Sequence, residues 1–225
     1  MQNKVFIKEI FESIQGEGPF IGINQLFIRF SKCNLNCKYC DTDFKTNLKL
    51  YSDKELLDEI NKYPYVHSIS LTGGEPLCET DFLLEFLPLI NKNKKIYLET
   101  NGILYENLQK LINNIDIISM DIKLPSSCEM IDMFDIHRFF IEISVKHKKE
   151  IFLKTVFDEK ITDDEIKKTI LLAQKYDLLI ILQPKTEDGT IRLSQDFIYN
   201  IYYKFIKNYR NVRLIPQVHK FLKIR

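Results

Sequence analysis

The strongest constraint on the fold of this chain is its alternation between short segments rich in β-branched residues and longer segments with a helical pattern. The predicted strands are Val5–Ile10, Gln25–Phe30, Ser68–Leu71, Lys95–Thr100, Ile115–Met120, Phe152–Val156, Leu178–Leu182 and Val212–Leu214. The predicted helices are Asp53–Asn61, Thr80–Asn91, Tyr105–Asn113, Ile131–Lys146, Asp163–Lys175 and Gln195–Lys207. Because such alternation produces parallel sheets covered by helices, we predict an α/β fold, either barrel-like or doubly wound. Ligands of these folds bind at the carboxyl ends of the strands.

Length and composition predict one domain over residues 1–225, because no repeat, linker or low-complexity segment divides the 225 residues. The formal net charge of +1 gives no general attraction to nucleic acid or membranes, so we expect neither as a partner. No stretch approaches the roughly 20 apolar residues that span a bilayer, and the N-terminal segment lacks the apolar core of a secretory signal. We therefore expect a cytoplasmic protein with reduced thiols.

Three of the five cysteines lie within eight residues, as Cys33, Cys37 and Cys40. Three thiolates on one loop can bind a soft metal or an iron–sulfur cluster. A structural zinc site needs a fourth ligand, which Cys78 or a histidine could supply. A [4Fe–4S] cluster with three cysteine ligands would instead leave one iron open for chemistry. The spacing alone leaves both alternatives open.

A second motif favours the cluster. Thr72, Gly73, Gly74, Glu75 and Pro76 follow a predicted strand, about forty residues after the cysteine loop. Two glycines expose backbone groups to a ligand at a strand end, and a glutamate accepts hydrogen bonds from an ammonium group. The two motifs together indicate a site for a cluster and an amino-acid-like ligand at one edge of the sheet.

CxxxCxxC followed by GGEP resembles the radical S-adenosylmethionine (SAM) superfamily. The resemblance implies an incomplete parallel β/α barrel, with a [4Fe–4S] cluster on Cys33, Cys37 and Cys40, and SAM chelated to the open iron. The residues that match SAM-binding positions of this superfamily are Tyr39, Gly73, Gly74, Glu75, Glu99, Asn101, Asp121, Lys123 and Gln183.

Three further segments, residues 11–22, 26–44 and 213–225, resemble the family of 7-carboxy-7-deazaguanine synthases. This resemblance implies ring contraction of 6-carboxy-5,6,7,8-tetrahydropterin with loss of ammonia, on the route to queuosine and related 7-deazapurines. It also implies an N-terminal substrate-binding loop, a C-terminal tail that closes the site, and Mg²⁺ at Thr42. The predicted substrate-binding residues are Gln15, Gly16, Glu17, Gly18, Arg29, Gln217 and His219.

The chemistry of these side chains agrees with the implied substrate. A guanidinium such as Arg29 can bind a carboxylate through two hydrogen bonds, and the loop containing Glu17 can meet the donor–acceptor edge of a pterin. His219 is a candidate for proton handling during ammonia loss, and the Thr42 hydroxyl is an oxygen ligand of the kind that Mg²⁺ prefers.

The resemblance also implies a homodimer and an electron donor such as flavodoxin or ferredoxin. Three rival hypotheses remain at this point. An activase for glycyl-radical enzymes would share the cluster and SAM residues but would not need Arg29 for a small carboxylate. A non-catalytic zinc-binding module would bind zinc through the cysteines, and a radical enzyme acting on nucleic acid is disfavoured by the near-neutral charge.

Overall fold

A computed structural model describes residues 4–37, 46–187 and 189–224 of the chain. The strands are β1 (Lys4–Ile14), β2 (Asn24–Phe30), β3 (Lys49–Ser52), β4 (Ser68–Gly73), β5 (Lys95–Thr100), β6 (Ile117–Asp121), β7 (Glu150–Phe157), β8 (Ile180–Pro184), β9 (Thr186–Glu187), β10 (Thr190–Ile191) and β11 (Val212–Leu214). The helices are α1 (Asp53–Asn61), α2 (Thr80–Phe86), α3 (Tyr105–Leu111), α4 (Pro125–Cys128), α5 (Phe134–Lys146), α6 (Asp163–Tyr176), α7 (Gln195–Ile206) and α8 (Val218–Leu222).

Within the described residues, nine strands form one sheet in the order β11-β8-β7-β6-β5-β4-β2-β1-β3. The pairs from β2 to β11 are all parallel, whereas β1 runs antiparallel to both of its neighbours, β2 and β3. The parallel strands follow chain order without the reversal that defines a doubly wound sheet. The predicted parallel α/β fold is therefore confirmed, and of its two forms the strand order matches the incomplete barrel.

The helix limits follow from the local sequence. Ser52 and Thr162 each accept a hydrogen bond from the backbone of the third helical residue, Glu55 or Glu165, whose side chain bonds back to the cap. Helix α2 ends at Phe86, earlier than the predicted Asn91, because Pro88 cannot continue the helical hydrogen-bond pattern and the chain passes into a 3₁₀ turn. None of the helices in the described ranges has the length and apolar character needed to span a membrane.

The sheet separates two apolar regions. The larger core packs the outer face of the parallel strands against the helices and contains fully buried side chains such as Leu26, Ile69, Leu98 and Leu182. The smaller cluster lies on the opposite, inner face and is formed by Tyr97, Ile117, Phe152 and Ile181. Phe20, from the loop after β1, packs edge-on against Tyr97 at 5.5 Å between ring centroids. This contact anchors the N-terminal loop inside the incomplete barrel.

Candidate active site

The inner face of the sheet changes from apolar to polar toward the carboxyl ends of the strands. Residues two positions apart on a strand share a face, so each member of the inner apolar cluster is followed by one polar side chain on the same face. These four polar residues are Glu99, Ser119, Lys154 and Gln183, and all of them line one cavity of about 740 Å³. The strand pattern thus places a polar site directly above an apolar floor.

A smaller cavity of about 140 Å³ adjoins the main one. The predicted substrate residues Gln15, Gly16 and His219 line the smaller cavity. The two cavities share Glu17, Arg29, Thr72, Glu99 and Gln217. The structure therefore brings most predicted substrate and SAM residues around one connected space, whose main part has the size of a small-molecule site.

The cysteine loop rests on the glycine pair at the end of β4. The amide of Gly74 donates to the carbonyl of Phe30, and the amide of Glu75 donates to the carbonyl of Lys32 at 2.7 Å. A Cβ atom on Gly74 would lie 2.0 Å from the Lys32 carbonyl oxygen, so only glycine permits this approach. The glycine pair thus fixes where the cysteine loop begins.

Two of the three predicted cluster ligands are described, and both line the main cavity. Cys33 is exposed, and Cys37 is half-buried with its Sγ 3.9 Å from the Met130 Sδ. The predictions at Cys40, Tyr39 and Thr42 lie outside the described residues.

Glu75 lies behind the cavity wall. Its side chain is fully buried and accepts hydrogen bonds from the Leu77 amide, the Thr100 hydroxyl and the Asn101 amide, at 2.8–3.1 Å. Burial raises the pKa of Glu75 to about 7. In this structure the carboxyl group thus holds the ends of β4 and β5 together, and Thr72, Gly73 and Gly74 are the members of the motif that line the cavity.

Asn101 connects the hydrogen-bonded Glu75 carboxyl group to the cysteine loop. Its side-chain amide donates to the Asn34 Oδ1 at 2.8 Å, and its backbone carbonyl lies 3.1 Å from the Nε2 of His137 on α5. His137 is fully buried, and burial lowers its pKa to about 4, so it is neutral near pH 7 and can donate from Nε2. No sequence pattern predicts a role for His137, because a single histidine on a helix is usually structural.

We expect His137→Gln to reduce the pH dependence of the free energy of unfolding. The unfolded chain takes up a proton at the ordinary pKa of 6.5, whereas the folded chain does so only near 4, so stability falls as the pH drops through this window. Between pH 7 and pH 5 the wild type should lose about 2 kcal/mol more than the variant. Urea unfolding at both pH values measures this difference, and equal losses in the two proteins would contradict it.

Gln15 links the N-terminal loop to β5. Its Nε2 lies 3.0 Å from both the Gln25 Oε1 and the Glu99 Oε1, and the second oxygen of Glu99 accepts a hydrogen bond from the Thr72 hydroxyl at 2.7 Å. Glu99, predicted as a SAM residue, is thereby joined to the predicted substrate loop. Thr72 belongs to the predicted glycine motif, but no binding role was predicted for it.

Four largely buried charged side chains form a row of ion pairs along the wall of the main cavity. The Lys154 ammonium contacts the Glu17 Oε2 at 2.5 Å and the Asp121 Oδ1 at 3.2 Å, and Asp121 also pairs with Lys123 at 2.8 Å. Burial raises the pKa of Glu17, but Lys154 and the hydrogen bond from Gln217 outweigh this effect and lower it to about 2. Burial lowers the pKa of Lys154, but Asp121 and Glu17 raise it well above its ordinary value. Lys154 is a central site residue that motif analysis missed.

The C-terminal helix α8 packs on the N-terminal loop. The Val218 amide donates to the Gly16 carbonyl at 2.9 Å, and the Gln217 side chain donates to the Glu17 Oε1 at 2.6 Å. A Cβ atom on Gly16 would lie 2.3 Å from the His219 ring, so this close packing requires glycine. Gly18 lies against the Phe152 ring, next to the apolar floor.

Arg29 and Gln183 lie on two walls of the main cavity. The Arg29 Nε donates to the Glu9 Oε1 at 2.8 Å, across the β1–β2 pair, while the side chain also lines both cavities. Gln183 is 2% exposed, and its Oε1 has no hydrogen-bond partner in the described part of the chain. A buried acceptor without a partner on a cavity wall is the arrangement expected of a ligand contact.

The described donors fit the groups implied by the sequence. Cys33 and Cys37 offer soft sulfur ligands at the mouth of the cavity, where an iron–sulfur cluster would bind. Asp121, Lys123 and Gln183 supply acceptors and a cation around the same space, as the hydroxyl, amino and carboxylate groups of SAM require.

Comparisons with known proteins identify the family of the chain. Residues 27–179 match the model of the radical SAM superfamily. The chain is 37% identical over 242 residues to the 7-carboxy-7-deazaguanine synthase of Geobacter sulfurreducens, with 96% of each chain covered. It is 33% identical over 235 residues to the synthase of the same name from Archaeoglobus fulgidus, with 96% of this chain and 97% of that protein covered.

The fold is also similar to a solved structure. The crystal structure of QueE from Escherichia coli superposes with a TM-score of 0.61 at 21% identity, over 96% of this chain and 95% of that one. At this identity the superposition supports the fold, while the full-length relatives show the family. The chain therefore belongs to the radical SAM superfamily and, within it, to the family of 7-carboxy-7-deazaguanine synthases.

Proposed function

We propose that the chain converts 6-carboxy-5,6,7,8-tetrahydropterin into 7-carboxy-7-deazaguanine, with loss of ammonia. The name shared by the full-length relatives supports this reaction. The structural observation that supports this reaction most strongly is that the cysteine loop, Arg29 and the N-terminal loop all line one cavity. A pocket with one guanidinium and several hydrogen-bonding side chains suits a small carboxylated heterocycle.

Membership of the superfamily implies a [4Fe–4S] cluster and SAM. When bound, these cofactors supply a 5′-deoxyadenosyl radical that removes a hydrogen atom from the substrate. We assign the cluster to Cys33, Cys37 and Cys40. The residues assigned to SAM are Tyr39, Gly73, Gly74, Glu99, Asn101, Asp121, Lys123 and Gln183, and Glu75 is assigned to holding Asn101 and the strand ends behind them.

Residues on the opposite side of the cavity bind the substrate in this proposal. Arg29 binds the carboxylate, since a guanidinium can offer two parallel hydrogen bonds to it. Glu17 accepts hydrogen bonds from the amino edge of the pterin, and the pairing with Lys154 keeps its carboxylate ionised for this role. The Gly16 and Gly18 backbone completes the loop.

Proton handling and metal binding complete the site. His219 lies on the wall of the smaller cavity, where an imidazole could move a proton as ammonia leaves. Gln217 holds the Glu17 carboxylate by hydrogen bonding. We assign Mg²⁺ to Thr42 and expect the ion to complete its coordination with substrate oxygens and water.

The partners follow from the same chemistry. The reaction needs a one-electron reductant, and we propose a small donor such as flavodoxin or ferredoxin. We further propose that the enzyme acts as a homodimer, and that it works in the cytoplasm, where thiols remain reduced before the cluster is assembled.

A product assay tests the proposed function. The cluster is reconstituted anaerobically, reductant, SAM, Mg²⁺ and the carboxytetrahydropterin are added, and products are identified by mass spectrometry. We expect 7-carboxy-7-deazaguanine from the wild type and none from Cys37→Ala. Deoxyadenosine without the deazaguanine would reject the substrate and favour a glycyl-radical activase. Zinc-loaded protein that forms neither product would contradict an enzymatic function.

A further inference from the structure

The buried ion chain connects two groups of residues that have different proposed roles. Glu17 belongs to the loop assigned to the pterin, whereas Asp121 and Lys123 lie at the strand end assigned to SAM. The chain places Lys154 between them, in contact with both carboxylates. The side chains of Lys154, Glu17 and Asp121 are 10%, 16% and 19% exposed, so little water screens these contacts.

One ammonium shared by two carboxylates makes their positions interdependent. An ammonium has three N–H groups, and each carboxylate competes for the same charge. If a bound ligand draws Glu17 away, Lys154 pairs more closely with Asp121. Asp121 is then held less well by Lys123, with which it forms a contact of 2.8 Å. In a poorly screened site, such a rearrangement changes binding energies more than it would at the surface.

We propose that Lys154 is a positioning residue that couples the pterin side of the cavity to the SAM side. This inference rests on the proposed function, because it uses the assignment of Glu17 to the pterin and of Asp121 to SAM. It adds that the two ligands do not bind independently. By thermodynamic linkage, binding of the pterin changes the affinity for SAM, and binding of SAM changes the affinity for the pterin by the same factor.

The test measures SAM binding in the absence of pterin, by calorimetric titration of the reconstituted protein without reductant. Glu17→Gln keeps the size of the side chain and removes its charge, which leaves Lys154 paired with Asp121 alone. We expect the Kd for SAM to rise about tenfold. Glu12→Gln is the matched control, because Glu12 lies on β1 just before the Glu17 loop and, among the described residues, accepts its side-chain hydrogen bond from Asn24 at the surface. The control should stay within about twofold of the wild type.

A second variant shows whether Lys154 carries the effect. Lys154→Met should raise the Kd for SAM, and adding Glu17→Gln to it should cause little further change, because effects that act through one shared group do not add. Asp121→Asn should raise the KM for the pterin. Unchanged SAM affinity in Glu17→Gln, or full additivity in the double variant, would overturn the coupling. If Lys154→Met does not fold, the Glu17→Gln titration and the Asp121→Asn kinetics still decide the question.

These outcomes are separable from failure of the proposed function. If the wild type forms 7-carboxy-7-deazaguanine but Glu17→Gln binds SAM normally, the reaction stands and the coupling is wrong. If no deazaguanine forms but Glu17→Gln weakens SAM binding, the coupling stands and the proposed substrate is wrong.

Discussion

Gly74→Ala is expected to weaken cluster binding and to lower the rate of product formation by about 100-fold or more. The added methyl group would lie 2.0 Å from the Lys32 carbonyl oxygen and 3.0 Å from the Cys33 Cβ. Backbone cannot rotate away from such a contact as a side chain can, so the cysteine loop must move. A displacement of about 1 Å in a catalytic arrangement is enough for a rate loss of this size. Iron content after reconstitution and product formation measure the effect.

Gly22→Ala is the control variant, because it replaces a glycine by alanine at a position where the added methyl group contacts no other atom. Unlike Gly74, Gly22 has a positive φ, of +86°, and a Cβ atom there would meet nothing within 4 Å. This variant should lose about 1–2 kcal/mol of stability and bind iron normally. Normal iron content in Gly74→Ala would show that the cysteine loop does not depend on the glycine pair.

Arg29→Met is expected to lower kcat/KM for the carboxytetrahydropterin by about 100-fold while leaving SAM binding unchanged. Loss of a buried charge partner typically removes about 2–5 kcal/mol of binding energy, which corresponds to this range or more. Arg29→Lys should recover only part of the activity, because an ammonium cannot form the two-point contact of a guanidinium. Steady-state kinetics of the three proteins provide the comparison.

Arg138→Met is the control for loss of a partly exposed arginine. Arg138 pairs with Asp135 and Glu142 on the outer surface of α5, away from the cavity. Its loss should leave kcat/KM unchanged. If Arg29→Met also left kcat/KM unchanged and lowered only thermal stability, Arg29 would serve only to pair β2 with Glu9 on β1.

The fold could be predicted because its determinants are local. Hydrophobic periodicity and helix caps lie within short segments, and α1 begins at Asp53 and ends at Asn61 as expected. Strand β3 was missed because Lys49–Ser52 has only four residues, and its stability comes from pairing with β1 rather than from its own pattern. Helix α8 was missed because five residues give no readable periodicity.

The site could be predicted only where residues form a motif. The cysteines and the glycine pair have recognisable spacing, whereas Lys154 and His137 act through distant partners that no local pattern reveals. The role of Glu75 shows the same limit. Its motif suggested a ligand contact, but three internal hydrogen bonds occupy its carboxyl group in the fold. Partners of buried polar groups are set by tertiary packing.

The most direct measurement follows deuterium from C6 of the carboxytetrahydropterin in an anaerobic reaction with the reconstituted protein. We predict that 7-carboxy-7-deazaguanine forms and that the deuterium appears in the 5′-deoxyadenosyl group of SAM or in deoxyadenosine. That result would show that the radical and the pterin meet in one cavity. Absence of the deazaguanine, or its formation with no deuterium in either nucleoside product, would contradict the proposed reaction.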